Sequence, residues 1–218
     1  MLFIYKNMKR KIILVIALSS FIFNMTSCKV SKNYVQFISK KEDIVAPKTK
    51  KVLAFSTENV QVSNFTKTFD KNFTTTNDFT SSYLNDFKQQ AIASNLFSEV
   101  FIDTKNTSYT SLKKENADYI IYFSNVHISN RVEWTSAGGM NMNGMGMQAP
   151  TSVEYCVVTV KVEVFDAKTD KEILDFVSIG EESVFLFDFT KTLLKAKERS
   201  INHIINFLQS GKTTYKKY

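Results

Sequence analysis

A chain of 218 residues with 44% hydrophobic, 22% charged and 13% aromatic residues has ordinary globular composition. Two prolines and six glycines leave no room for a long Pro/Gly linker or a fibrous repeat, and the length suffices for one domain that buries a core without disulfides. The formal charge of +7 does not point to nucleic acid: Lys6, Lys9, Arg10 and Lys11 all precede Cys28, leaving 24 basic against 21 acidic groups from there on, or +3.

The first element is an export signal. Lys9, Arg10 and Lys11 make a positive start, Ile12 to Phe23 form an apolar run of twelve, and small residues follow before Cys28. That run is too short for a hydrocarbon core of about 30 Å, which needs roughly 20 residues. Met8 serves as well as Met1 for a start, because Met8-Lys-Arg-Lys opens the signal directly. Met25-Thr26-Ser27-Cys28 resembles the lipobox of bacterial lipoproteins, with Met25 where Leu is commoner. The resemblance implies that residues 1–27 are cleaved and that Cys28 carries lipid. Two or three acyl chains anchor stably where one binds only reversibly. It implies further that Lys29, not being Asp, permits transfer to the outer membrane, and that Lys29 to Asn33, lacking the acidic cluster of surface-exported lipoproteins, favour an anchor facing the periplasm.

Residues 28–50 then read as the lipidated cysteine and a Lys-rich tether, residues 51–212 as the folded domain, and residues 213–218 as a carboxyl-terminal tail. Lys51 to Ser56 is a compact apolar run that reads as a buried strand, with a continuation to Val62 open. Phe65, Phe69 and Phe73 fall four apart, as on one helical face, among threonines that weaken a helix. From Thr80 the spacing of Tyr83, Leu84, Phe87, Ala91 and Ile92 predicts an amphipathic helix ending at Asn95 to Ser98. Val100 to Ile102 predicts a short strand, Leu112 to Asn116 a helical turn, and Ala117 to Phe123 a strand buried on both faces.

Between Ser152 and Asp166, Cys156, Val158, Val160, Val162 and Val164 share one face, and Tyr155, Thr159, Lys161 and Glu163 share the other. Cys156 is thus expected in the core, and with Cys28 acylated it has no disulfide partner. Asp166 to Lys171 supplies turn chemistry without glycine, so residues 152–187 predict a long hairpin. A last helix is expected from about Asp188 to Ser210, with Leu194, Ile201, Ile204, Ile205 and Leu208 inward, Asp188 or Thr190 as its cap, and Gly211 past its end.

This order of elements predicts an α+β fold: a mostly antiparallel sheet with amphipathic helices packed on one face. KVLAFS, the helix leading into NLFSEVFID, NADYIIYFSNV, VEVFDAKTDKEI and INHIINFL together resemble envelope lipoproteins related to the TolB amino-terminal domain, CsgG and LpoB. The resemblance implies an accessory or scaffolding role, without cofactor, whose protein partner is not specified.

Catalytic signatures are absent: no G-x-S-x-G, H-E-x-x-H, C-x-x-C or phosphate-binding loop occurs, and His127 and His203 stand outside any motif. Glu181 and Glu182, adjacent on a strand, point to opposite faces and read as a solvated edge. The 25 lysines outweigh three arginines, which disfavours nucleic acid as a partner. One segment is unusual. Residues 138–147, expected as a mobile loop, hold four of the six glycines and, in Met140, Met142, Met145 and Met147, four of the seven methionines. Such methionines can fill irregular apolar pockets on a partner or membrane. Alternatively, their thioethers could coordinate Cu(I), though no His or Cys stands within the loop to strengthen that case; the third reading is a loop with no ligand. The expectation is therefore a lipid-anchored periplasmic binding or accessory protein of an envelope assembly, not an enzyme, with Cu(I) binding as the alternative.

Overall fold

The computed structural model describes residues 31–42, 47–64, 66–105, 116–135, 151–184 and 189–216. The chain divides into a larger unit, residues 33–214, and a smaller one made of residues 1–32 with 215–218. In the smaller unit the described residues belong to β1 (Ser31–Asn33) and β9 (Thr214–Lys216), which pair with each other as a two-stranded ribbon.

The larger unit is α+β, built on a seven-stranded sheet. Its strands are β2 (Val35–Lys40), β3 (Lys51–Ser56), β4 (Val60–Val62), β5 (Glu99–Asp103), β6 (Tyr119–Thr135), β7 (Thr151–Asp166) and β8 (Glu172–Ser183). The main order is β2-β8-β7-β6-β3-β5, with β4 beside β6. Three helices accompany it: α1 (Thr66–Asn72), α2 (Thr76–Ala93) and α3 (Phe189–Ser210).

The sheet is mixed, which corrects the expectation of a mostly antiparallel one. β2, β8, β7 and β6 pair antiparallel, whereas β3 runs parallel to both β5 and β6, and β4 runs parallel to β6. The cause is connectivity. A helix between two neighbouring strands returns the chain to the end where it began, so β3-α2-β5 must pair in parallel. Residues 51–62 make two strands, not one continuous strand: β4 pairs farther along β6 than β3 does, past a register shift between Phe123 and Asn125. Part of the segment expected as tether also belongs to the sheet, because Val35–Lys40 is an edge strand on β8. Likewise Thr214–Lys216, expected as tail, is strand β9.

Local chemistry accounts for the helix limits. Thr75 caps α2 in a reciprocal capping box, its hydroxyl accepting from the Asp78 N–H while Asp78 accepts from the Thr75 N–H. Thus α2 starts four residues before Thr80. Phe79, Tyr83, Leu84, Phe87 and Ala91 are buried, but Ile92 is exposed. In α3 the buried stripe contains Leu193 and Phe207, one position before the predicted Leu194 and Leu208; Leu194 is exposed. Gly211, at φ +68, occupies the left-handed position beyond α3, and its N–H donates to the Phe207 carbonyl.

Packing on the helical face is aromatic near α2. Phe69 and Phe73 join Phe79, which leads through Tyr83 to Phe123 on β6, with Phe87 on the same ring. Pairs of this kind add about 0.5–1.5 kcal/mol to their area burial. Near α3 the approach is closer: a Cβ on Gly180 would stand 2.0 Å from the Ala196 carbonyl oxygen, so only glycine lets β8 meet the helix backbone. On the opposite face Leu53, Phe55 and Ile120 form a second cluster, with Phe101, Tyr122 and Phe165 against it. Adjacent Ile120 and Ile121 are both fully buried, as expected of a strand covered on both faces.

Candidate functional site

β6 and β7 are the two longest strands, paired from Tyr119 opposite Asp166 to Thr135 opposite Thr151. β8 follows β7 as far as Tyr155 opposite Ser183, and the Val184 N–H still donates to the Glu154 carbonyl at 2.8 Å. Among the described residues, β6 and β7 continue three pairs farther, to Thr135 opposite Thr151, as a short two-stranded arm.

Strand alternation gives the arm two different faces. Arg131 and Glu133 occupy one. Arg131 lies over the Tyr155 ring, 4.2 Å from its centroid, and grips Glu181 on β8 through two parallel hydrogen bonds of 2.9 and 3.0 Å, while a third reaches Glu133 at 3.1 Å. One guanidinium thus ties the arm to the third strand. The other face carries Asn130, Val132 and Trp134. Asn130 receives a hydrogen bond from Asn64 and donates to Glu154 at 2.8 Å. Val132 is 43% and Trp134 69% exposed, two apolar side chains two residues apart on one strand face.

Several predicted site residues have definite places. Cys156 is buried among the valines, where burial first and the Glu154 charge second push its thiol up to about 12. That suits an inert core thiol. Glu181 and Glu182 do point to opposite faces, but neither is a solvated edge group: Glu181 is held by Arg131, and Glu182 faces Lys195 and Arg199 of α3. His203 donates from Nδ1 to the Ile179 carbonyl at 2.8 Å and stacks on Tyr34 at 4.6 Å. Burial draws its pKa down to about 4, Arg199 acting in the same sense and the Ile179 carbonyl against it. His127 Nε2 lies 2.7 Å from Ser63 Oγ. No group of three or more His, Cys, Asp or Glu that could hold a metal occurs among the described residues. Cys28, Met140, Met142, Met145 and Met147 lie outside the described residues, as do Phe65, the predicted cap Asp188 and most of the predicted turn at 112–116.

Two features were not anticipated. Trp134 was open to detection, being the one tryptophan of the chain and alternating with Arg131 and Glu133. Lys197 was not, since nothing local marks it: it is 4% exposed between helices, and its ammonium reaches Asp86 at 2.8 Å and Ser82 at 2.6 Å across on α2. A buried ammonium requires such partners.

No protein-family model matches the chain, and no curated protein matches it. Solved structures that resemble it in part include a neuraminyllactose-binding hemagglutinin homologue from Helicobacter pylori, 14% identical, with 79% of this chain and 88% of that one covered and a TM-score of 0.42. PelC from Paraburkholderia phytofirmans, described as a dodecamer, is 13% identical over 77% of this chain and 93% of its own, with a TM-score of 0.40. A Xanthomonas campestris protein of family DUF330 is 9% identical over 80% and 90%, with a TM-score of 0.42. None of the three is described as a TolB, CsgG or LpoB protein, and likeness at this level carries no conclusion about what the chain does.

Proposed function

We infer that the chain is a lipid-anchored periplasmic binding or accessory protein of an envelope assembly, retained at the outer membrane by acylated Cys28 and acting without catalysis. The observation that carries this reading is the coincidence of an export signal ending in Met25-Thr26-Ser27-Cys28 with a short two-stranded arm that exposes Val132 and Trp134. Residues 136–150, which contain Met140, Met142, Met145 and Met147, connect the two strands of that arm, so the methionines and the exposed pair belong to one stretch of chain. Thioether side chains adapt to irregular apolar surfaces, which suits docking better than chemistry.

The alternative is Cu(I) binding by the same four methionines, whose soft sulfurs select that ion. Two sets of substitutions separate the readings in crosslinking from intact envelopes and in Cu(I) titration. Replacing all four by Leu keeps apolar bulk and removes the sulfur, so docking survives and copper binding does not. Replacing all four by Ser removes burial worth about 25 cal/mol per Å², so docking is lost as well. Crosslinked products unchanged in both sets would refute a docking role for residues 138–147.

A further inference from the structure

β2 is an edge strand of the sheet, and little along its length holds it. Val35 is buried and Gln36 half-buried, whereas Phe37 to Lys40 are exposed. Pairing with β8 breaks between Gln36 and Ser39, where Phe37 stands at φ 52, a left-handed conformation that strains a residue with a Cβ. The strand is therefore held at its two ends. At the far end the Lys41 and Glu42 N–H groups donate to the Ile173 carbonyl at 2.8 and 3.1 Å, and Lys41 pairs with Glu172 at 2.9 Å. At the near end the Tyr34 N–H donates to the Thr213 carbonyl, and the Ile179 N–H of β8 donates to the Tyr34 carbonyl at 2.8 Å. The Ile179 carbonyl accepts from His203 Nδ1 of α3, also at 2.8 Å. His203 thus stands where the next N–H of an edge strand would stand, and its ring lies on that of Tyr34 with 14° between their planes.

We propose that His203 is a proton-operated latch on β2: the neutral ring holds Tyr34 and the strand against β8, and protonation favours a state in which Tyr34 and β2 come away and bare the outer edge of β8. Burial, the largest influence on the ring, opposes the imidazolium, as does the Arg199 charge on α3; the Ile179 carbonyl and Glu181 of β8 favour it. Both charges are already paired, Arg199 with Glu182 and Glu181 with Arg131. A ring kept neutral while covered, and protonated once uncovered, shifts the balance toward the open state as pH falls below the ordinary histidine value. The strand answers before the rest of the sheet because Tyr34 leads directly into it and Val35 is the one buried side chain it gives up.

Hydrogen exchange of the full chain in detergent, corrected for intrinsic exchange, tests the latch at the Ile179, Lys41 and Glu42 amides, with Val160 in the middle of β7 as the reference. Between pH 7.5 and 5 the opening constant at the three amides should rise roughly 25-fold, the linkage expected of a histidine at 6.5 when open and about 4 when latched. That range lies above the ordinary carboxylate values, which leaves the slope to histidine. Val160 should stay protected by a far larger factor throughout. His203→Gln, which keeps a donor for Ile179, and His203→Phe, which keeps a ring on Tyr34, should each remove the rise. Reporter amides whose opening does not change with pH, or that open only together with Val160, overturn the proposal. So does the same rise persisting in whichever variant folds.

Discussion

His203 illustrates how a residue suited to chemistry can be spent on architecture. Its ring is stacked on Tyr34, its Nδ1–H is donated to Ile179, and its pKa is depressed to about 4 from an ordinary 6.5. A depressed histidine stays neutral in the folded state while the unfolded chain takes up a proton, so stability falls as pH drops through 6.5 and levels below about 4. At about 1.4 kcal/mol per unit the full effect is on the order of 3 kcal/mol. Urea titrations at pH 7.5 and 4.5 should show that loss, and His203→Gln should flatten it; an equal loss in the variant would mean that another group governs the slope. Asp118 and Asp166, both held below the usual carboxylate range by backbone N–H donors, act in a lower window, where protonation near and below pH 4 removes their contribution. Cys156 makes the complementary case. Fully buried, with its thiol pushed up to about 12, it should label slowly in the native protein and rapidly in denaturant. Rapid native labelling would contradict the register of β7, because a one-residue slip reverses every side chain.

At the scale of elements, the meeting of β8 with α3 is the most demanding contact. Gly180→Ala would place a methyl against the Ala196 carbonyl and Ser200 of α3, a backbone obstacle that no rotamer change relieves. Overpacking of this kind costs about 1–3 kcal/mol or more. The melting temperature should fall accordingly; unchanged stability would show that α3 can shift outward freely. Strands and helices with strong periodicity were legible in the sequence: the five-residue row from Cys156 to Val164, the Asp166 turn, in which the side chain accepts from the Lys168 and Thr169 N–H groups, and the inward Tyr83, Leu84 and Phe87. Ile92 and Leu194 were misplaced because each sits beside the true stripe, where apolar character alone does not decide which neighbour faces inward. Parallel pairing of β3 was missed for a different reason, since strand direction is a property of the connection and leaves no mark on either strand. Val35–Lys40 escaped because edge strands alternate weakly: Val35 is buried, whereas Phe37, at φ 52, and Ile38 are exposed.

For the whole molecule, the proposed compartment rests on a local pattern of residues, whereas no such pattern marks a task. Lys9 to Cys28 is a local pattern whose charge, apolar length and cysteine suffice for a reading, whereas the arm that exposes Trp134 depends on how far β8 extends beside β7, which only the assembled sheet reveals. Arg131 and Lys197 were illegible for the same reason. Their partners, Glu181 and Asp86, are distant in sequence and become neighbours through strand pairing and helix packing. The account stands or falls on the anchor, because the proposed place of the protein at the envelope follows from it. Mass spectrometry of the mature protein extracted from envelope membranes tests it most directly: the chain should begin at Cys28 and carry added acyl mass that Cys28→Ala abolishes, releasing a folded domain from the membrane. A mature chain with an unmodified Cys28, or one that begins elsewhere, would contradict it.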